Sequence, residues 1–373
     1  MMRFALKTGV ALVITAIVVG VAVVAVFNPF SPKPEEEYLR LNVQLTGAGA
    51  TFQYPQIAEW ASRFQRVAGI EVNYQSVGTG AGQRMFLQDK VVDFAASDPP
   101  LSRSQWEQYE NQVMQIPWMM GAVVVVYNVP EIPSDARLNL TGEILAKIYK
   151  GEIEYWNDPA IVEVNPAAAG RLPAKQIIAV HRSDSSGTTE VFTTFLNKAA
   201  PSIWGSEMVG KQVNWPVDST GRGIGGKGNE GVTQAVIQTQ YSIGYVEWSY
   251  AISNNLPAAA LRNPAGRFVA PSEASIRAAA AGISLPESPL DDFSHVLAQV
   301  VYSSNPDSYP ISTFGFVFVW TSYQPQEKAL ALSQFLKWVA RDGYNYMVAG
   351  YVAPPEPVKN LLLNASSILT QQK

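Results

Sequence analysis

His181 to Leu196, HRSDSSGTTEVFTTFL (181–196), is the stretch from which the rest of the chain can be read. An apolar run, Ile177 to Val180, leads into it, and a polar loop follows, Arg182 to Thr188. Val191, Phe192, Phe195 and Leu196 then recur at helical spacing on one face. The predicted unit is strand, short loop, helix. Small hydroxyl residues and Gly187 at the helix start leave backbone N–H groups unpaired at the positive end of the helix dipole, which suits an oxyanion. Arg182, just upstream, can fork two N–H groups onto one anion. An ordinary Ser-capped helix with a surface Arg would look the same in isolation. The repetition of the pattern elsewhere separates the two readings.

The pattern returns twice near the start. Leu41 to Leu45 reads as a short strand, followed by Thr46 to Phe52 and a helix with Ile57, Trp60, Ala61 and Phe64 on one face. No Gly-Lys-Ser/Thr follows, so this is not a nucleotide-hydrolysing phosphate loop. Glu71 to Val77 reads as a strand running into Gly78-Thr79-Gly80-Ala81-Gly82 and a helix through Leu87. Val91 to Ala96 is a buried strand ending at Ser97-Asp98-Pro99-Pro100. Asp98 either caps the turn before Pro99 or contacts a ligand at the carboxyl end of the strand. Ile116 to Asn128 is a long strand, too apolar for a sheet edge. Thr141 and Gly151 bracket a helix as N-cap and stop. Asp218 to Gly231 matches G-x-G-x-x-G through Gly221, Gly223 and Gly226, but no clear strand leads in and Pro216 precedes it. A mobile loop or a shaped turn near the ligand is expected there rather than a dinucleotide site, with Asn229 capping the next helix. Asn139 and Asn364 head glycosylation sequons of low specificity. Phe314 to Trp320 reads as a strand and Pro325 to Arg341 as an amphipathic helix.

Composition narrows the function classes. With 373 residues and 47% hydrophobic content the chain can bury about two domains' worth of core. A net charge of −4 argues against a bulk nucleic-acid binder. There is no Cys and only two His, His181 and His295, so thiol nucleophiles, disulfides and Cys-based zinc sites are excluded. No metal site or cofactor is expected. Arg3 and Lys7 precede Gly9 to Phe27, whose one polar member is Thr15. As a helix this run would span about 28 Å, close to a bilayer's hydrocarbon thickness. It lacks a small-x-small cleavage site, so residues 1–30 are expected to be a signal anchor that leaves the remainder outside the cell membrane. Residues 31–42 then form a stiff, charged tether.

Taken together the chain resembles the phosphate-binding proteins of ABC-type phosphate importers. The segments that carry the resemblance are LTGAGATF (45–52), VNYQSVGTGAG (72–82), VDFAASDPPLS (92–102), HRSDSSGTTEVF (181–192), GGKGNEGV (225–232) and SIGYVEWSYA (242–251). The likeness covers about residues 43 to 345 and fades beyond Gly350. It implies an α/β, two-lobed type II periplasmic-binding-protein fold, each lobe a mixed sheet flanked by helices, with the ligand in the cleft. One lobe would hold 43–117 plus 311–373 and the other 118–310, joined by two strands near Met119 and Ile311. The family's ligand positions carry over to Thr51, Phe52, Thr79, Asp98, Arg182, Ser186, Gly187 and Thr188, and Asp184 matches an acidic residue that steadies the arginine. Thr79 stands where Ser is frequent, which keeps the hydroxyl. Ser185 stands where Gly is usual, which affects only local loop shape. The implied protein is a monomeric binder of inorganic phosphate, without enzyme activity, that serves the permease of an importer.

Asp98 is the informative member of this set. An ionised carboxylate only accepts hydrogen bonds, so it opposes an anion unless that anion carries a hydrogen. Phosphate carries one near neutral pH and sulfate does not; arsenate behaves as phosphate does. Sulfate, molybdate or an organic anion remain alternative ligands. A phosphatase or esterase using Ser186 is the alternative from another class, weakened by the missing G-x-S-x-G elbow and by His181 as the sole base in view. Strand and helix-surface or core roles are the expectation for His181 and His295.

Overall fold

A computed structural model describes residues 38–133 and 136–371. The anchor and most of the tether expected from the sequence lie outside the described residues. Among the described residues no helix is long and apolar enough to cross a membrane. Residues from Arg40 onward form one compact unit.

The strands are β1 (Gln44–Gly49), β2 (Glu71–Ser76), β3 (Phe94–Ser97), β4 (Val113–Asn128), β5 (Asn139–Leu140), β6 (Ile178–Arg182), β7 (Gly223–Gly226), β8 (Ser242–Glu247), β9 (Ala260–Arg262), β10 (Phe268–Val269) and β11 (Ser312–Trp320). Eight of them make one mixed, curled sheet in the order β2-β1-β3-β11-β4-β8-β6-β7. β1, β2 and β3 are mutually parallel, as are β8, β6 and β7, and the long β4 is antiparallel to both its neighbours. β4 changes partner along its length: Val113 to Ala122 pair with β11, Val123 to Asn128 with β8. Its apolar sequence has its explanation here, since it is central to the sheet and buried up to its last residue. β10, β9 and β5 form a small separate sheet.

Each half of the large sheet has its own aromatic core. On the β1–β3 side, Trp60, Phe64, Phe94, Trp118 and Phe335 cluster, with the two indoles 5.3 Å apart. On the β6–β8 side, Tyr149, Phe192, Trp215 and Tyr245 do the same, with Phe192 stacked on Tyr245 at 4.3 Å. The helix Tyr54–Ala68 shows how local sequence makes this packing. Pro55 suits its first turn, Ile57, Trp60 and Phe64 share its buried face, and Gly69 ends it in the left-handed conformation at φ 72°. The helix Glu356–Thr370, beyond the reach of the resemblance, packs on Gln326–Arg341 through Ser333 and Ser366.

Several sequence expectations change, among them the strand expected at Val91 to Ala96, which runs Phe94–Ser97. The first strand begins at Gln44, three residues later than expected, and takes in the Gly-Ala-Gly run. The glycine-rich 218–231 segment is no mobile loop: Gly223–Gly226 is an edge strand paired in parallel with β6. Glycine is required by close approach, because a Cβ on Gly226 would lie 2.5 Å from the Val232 nitrogen. The sequon nitrogen of Asn139 is occupied, donating to the Val164 carbonyl at 3.1 Å, whereas Asn364 is exposed.

Candidate functional site

Every parallel strand of the large sheet delivers its carboxyl end to one place. β1 leads to Thr51 and Phe52, β2 to Thr79, β3 to Asp98, β6 to Arg182 and Ser186, β7 to Asn229, and β8 to Glu247. In open α/β sheets that edge is where ligands bind. The structure brings Thr51, Thr79, Asp98, Arg182, Gly187 and Thr188 together, with Phe52 and Ser186 next to them in the chain. Thr188 Oγ1 donates to Asp98 Oδ2 at 3.2 Å and accepts from Arg182 Nη1 at 3.4 Å. Asn229 Nδ2 reaches both Thr51 Oγ1, at 2.8 Å, and Thr188 Oγ1, at 3.4 Å. A Cβ on Gly187 would lie 2.6 Å from Thr79 Oγ1 and 2.7 Å from Asp98 Oδ2. Thr51, Phe52, Thr79, Asp98, Arg182, Ser186 and Thr188 are each at most 4% exposed.

Hydrogen-bond accounting shows which groups are spare. Thr51 Oγ1 accepts from the Asn229 N–H as well as from its amide, so its own hydrogen is left to give. Ser186 Oγ accepts from the Thr189 N–H as the N-cap of Gly187–Ala199, which leaves its hydrogen free too. The N–H groups of Gly187 and Thr188 precede the first intrahelical bond, made by Glu190 to the Ser186 carbonyl. Thr79 Oγ1 is buried with no hydrogen-bond partner among the described residues, an arrangement that costs stability unless something fills it. The Thr51 and Phe52 carbonyls, by contrast, are held by Tyr250 at 2.7 Å and Tyr351 at 2.6 Å.

Two charges face this set of donors. Arg182 is clamped on Asp184 through Nε at 2.7 Å and Nη2 at 2.6 Å. Burial alone would raise the Asp184 carboxyl, but the guanidinium outweighs it and holds Asp184 below the usual carboxylate range, helped by the Gly228 N–H. Burial pushes Asp98 from 3.8 up to about 7, against hydrogen bonds from Gln53 and Thr188 and the nearby charge of Arg182, which favour its charged form. The donor cluster can therefore offer an incoming anion several hydrogens and one acceptor whose protonation changes near neutrality.

Several nearby residues were not singled out from the sequence. Asn229 lies in the first turn of Gly228–Gln238 rather than capping it, and its side chain spans from Thr51 to Thr188. Lys211 Nζ donates to Gln83 Oε1 at 2.7 Å, and burial lowers its ammonium. Glu247 is wholly buried; burial raises its carboxyl to about 8, and Oε1 has no partner among the described residues. Asn229 and Glu247 lie within segments that carry the family resemblance, but the partners that place Asn229 and Lys211 here, Thr51 and Gln83, are far off in sequence. His181 stacks on Trp215, and its ring nitrogens engage Asp218, at 2.8 Å, and the Arg182 carbonyl. Among the described residues neither ring nitrogen of His181 is bonded to Ser186. His295 is exposed at a helix start. A hollow of about 650 Å³ beside Arg182, lined also by His181, Trp215 and Asp218, does not include Thr79 or Asp98. Among the described residues no group of acidic or His side chains could hold a metal ion.

A sheet with two parallel halves, two cores and ligand-type donors at the shared strand ends defines a two-lobed binding protein of the type II periplasmic class. Residues 38–342 match the description of the PBP superfamily domain. The phosphate-binding protein PstS of Methanocaldococcus jannaschii is 40% identical over 337 residues, 87% of this chain and 85% of that protein. The phosphate-binding protein PstS of Haemophilus influenzae is 47% identical over 237 residues, 63% of this chain and 67% of that one. The chain belongs to the PstS family of phosphate-binding proteins, which are transport proteins and not enzymes. Among solved structures, a periplasmic phosphate-binding protein (PfluDING) bound with phosphate shares the fold, with a TM-score of 0.66 at 22% identity over 85% of this chain and 92% of that one.

Proposed function

We propose that this chain captures inorganic phosphate between its lobes, 43–117 plus 311–373 and 118–310, and hands it to the permease of an ABC importer. Thr51, Phe52, Thr79, Asp98, Arg182, Ser186, Gly187 and Thr188 hold the ligand, and Asp184 steadies Arg182. The observation that carries the reading is one buried carboxyl, Asp98, set among hydrogen donors that include the orphaned Thr79 hydroxyl. A site for an anion has no use for an acceptor unless the anion brings a hydrogen. Phosphate and arsenate do so and sulfate does not. Charge-assisted hydrogen bonds contribute about 1.5–3 kcal/mol each, enough for a micromolar site after desolvation. The apolar run within residues 1–30 anchors the chain on the outer face of the membrane, and the protein acts as a monomer. Calorimetric titration of the purified chain tests the reading: micromolar binding of phosphate and arsenate is expected, with sulfate far weaker at pH 8. No heat with millimolar phosphate, or sulfate binding as tightly, overturns it.

A further inference from the structure

Gln53 directly follows Thr51 and Phe52, yet it looks from the sequence like an ordinary residue at a helix start. It is fully buried, and its amide can face only one way. Trp118 Nε1 lies 2.6 Å from Gln53 Oε1. An indole N–H can donate and cannot accept, so the Gln53 carbonyl must face it. The amide nitrogen is thereby turned toward β3. It gives one hydrogen to the Ser97 carbonyl at 2.8 Å and directs the other between Asp98 Oδ1, 3.4 Å away, and the Phe316 carbonyl, 3.5 Å away. Gly315 makes the room for this, since a Cβ there would lie 2.7 Å from the Gln53 amide carbon.

The two oxygens of Asp98 consequently differ. Oδ1 faces the Gln53 amide nitrogen, held in place by Trp118. Oδ2 meets the Thr188 hydroxyl and the space beside Gly187 and Thr79. A donor fixed on one carboxylate oxygen favours the ionised form and keeps the proton off that oxygen. We infer that Gln53, locked by Trp118, is a positioning residue that sets anion specificity by reserving Asp98 Oδ2 for the ligand's hydrogen and biasing Asp98 toward the acceptor state. This rests on the role given to Asp98 above, and it adds a residue pair outside the ligand shell.

The test is sulfate and phosphate affinity by calorimetry from pH 6 to 9 for Gln53→Met, Trp118→Phe and Asp98→Asn. With the donor removed in Gln53→Met, Asp98 keeps its proton to higher pH. The pH at which sulfate is rejected should rise by about one unit, so sulfate at pH 8 binds about tenfold more tightly than to the parent. Phosphate affinity at pH 6 should move less than about threefold, because Asp98 is already protonated there. Trp118→Phe frees the amide to turn its carbonyl toward Asp98 and should shift the profile the same way, which decides the matter if Gln53→Met does not fold. Equal weakening of both anions with no shift of the profile means that Gln53 is merely structural and overturns the inference. If Asp98→Asn itself leaves sulfate rejection intact, the reading of Asp98 fails and this one with it. If Asp98→Asn abolishes the profile while Gln53→Met and Trp118→Phe leave it in place, only the role of Gln53 is lost.

Discussion

Replacing Asp98 with asparagine should convert a pH-gated anion filter into an ungated one. In the parent, burial lifts the carboxyl from 3.8 to about 7, which corresponds to about 4 kcal/mol of penalty on the charged form. Below pH 7 the group holds a proton and can donate to any oxyanion, sulfate included. Above pH 7 it is ionised, and sulfate, with no hydrogen to give, must wait for the site to take up a proton. Sulfate affinity should then fall about tenfold per pH unit, or about a hundredfold between pH 7 and 9. Phosphate brings its own hydrogen and escapes this loss, so discrimination grows with pH. The carboxamide introduced by Asp98→Asn would present a donor and an acceptor at every pH. In that variant the sulfate slope should vanish, and sulfate should bind about a hundredfold more tightly than to the parent at pH 9. Calorimetric titrations of both proteins with both anions, at fixed ionic strength from pH 6 to 9, measure this directly. Phosphate's own ionisation is common to parent and variant and cancels in the comparison. A flat sulfate profile in the parent, or the same slope in the variant, would refute the reasoning.

Other expectations concern the arginine, the glycine and the second buried acid. Arg182→Ala should weaken phosphate, arsenate and sulfate alike, by about ten- to a hundredfold for one lost charge-assisted contact, because the guanidinium reads charge and not hydrogen; titration would contradict this if only selectivity changed. Gly187→Ala puts a methyl 2.6–2.7 Å from Thr79 Oγ1, Asp98 Oδ2 and Pro99, where backbone conformation raises no objection. At about 1–3 kcal/mol for overpacking, the variant should melt below the parent and bind phosphate more weakly, and unchanged melting and affinity would argue against so close an approach of the loops. Burial raises Glu247 from 4.5 to about 8, so the folded chain holds this proton more tightly than the unfolded one. The stability it contributes is complete below about pH 4.5 and is lost as pH rises through about 8; Asp98 acts the same way up to about 7. Glu247→Gln should flatten that decline and melt at least about 3 °C above the parent at pH 8.5, by scanning calorimetry. Parallel pH profiles for parent and variant would show that Glu247 is not the source.

What could be read from the sequence was local. The loops at Thr51, Thr79 and Ser186 each join a short strand to a helix, so these junctions could be inferred within a dozen residues of chain. The long strand was legible too, because continuous apolar character is what a central position demands. Asp98 was legible only through resemblance, since an Asp before Pro99 caps turns as readily as it binds ligands. Gln53, Asn229 and Glu247 were not legible. Gln53 takes its meaning from Trp118 and Asp98, and Asn229 from Thr51, partners that only the folded sheet brings near. Within the glycine-rich 218–231 segment the strand was missed for the same reason: it exists because β6 offers an edge to pair with, and Gly226 answers to the neighbouring helix rather than to flexibility.

The contacts that draw the two halves together differ in kind from those that hold each half. Each core is built of rings, whereas the meeting surface is stitched by Asn229 with Thr51, Lys211 with Gln83, Tyr250 with Thr51, Ser249 with Tyr351, and Gly80 with Ser185. Rings pulled apart lose what water cannot restore, but a seam of hydrogen bonds trades partners with water at nearly even terms. Parting such a seam therefore costs little, and the weight of the decision falls on whatever guest lies in the middle. On the proposed function, a jaw built this way would stay shut for its cargo and yield readily to a partner that takes the cargo away.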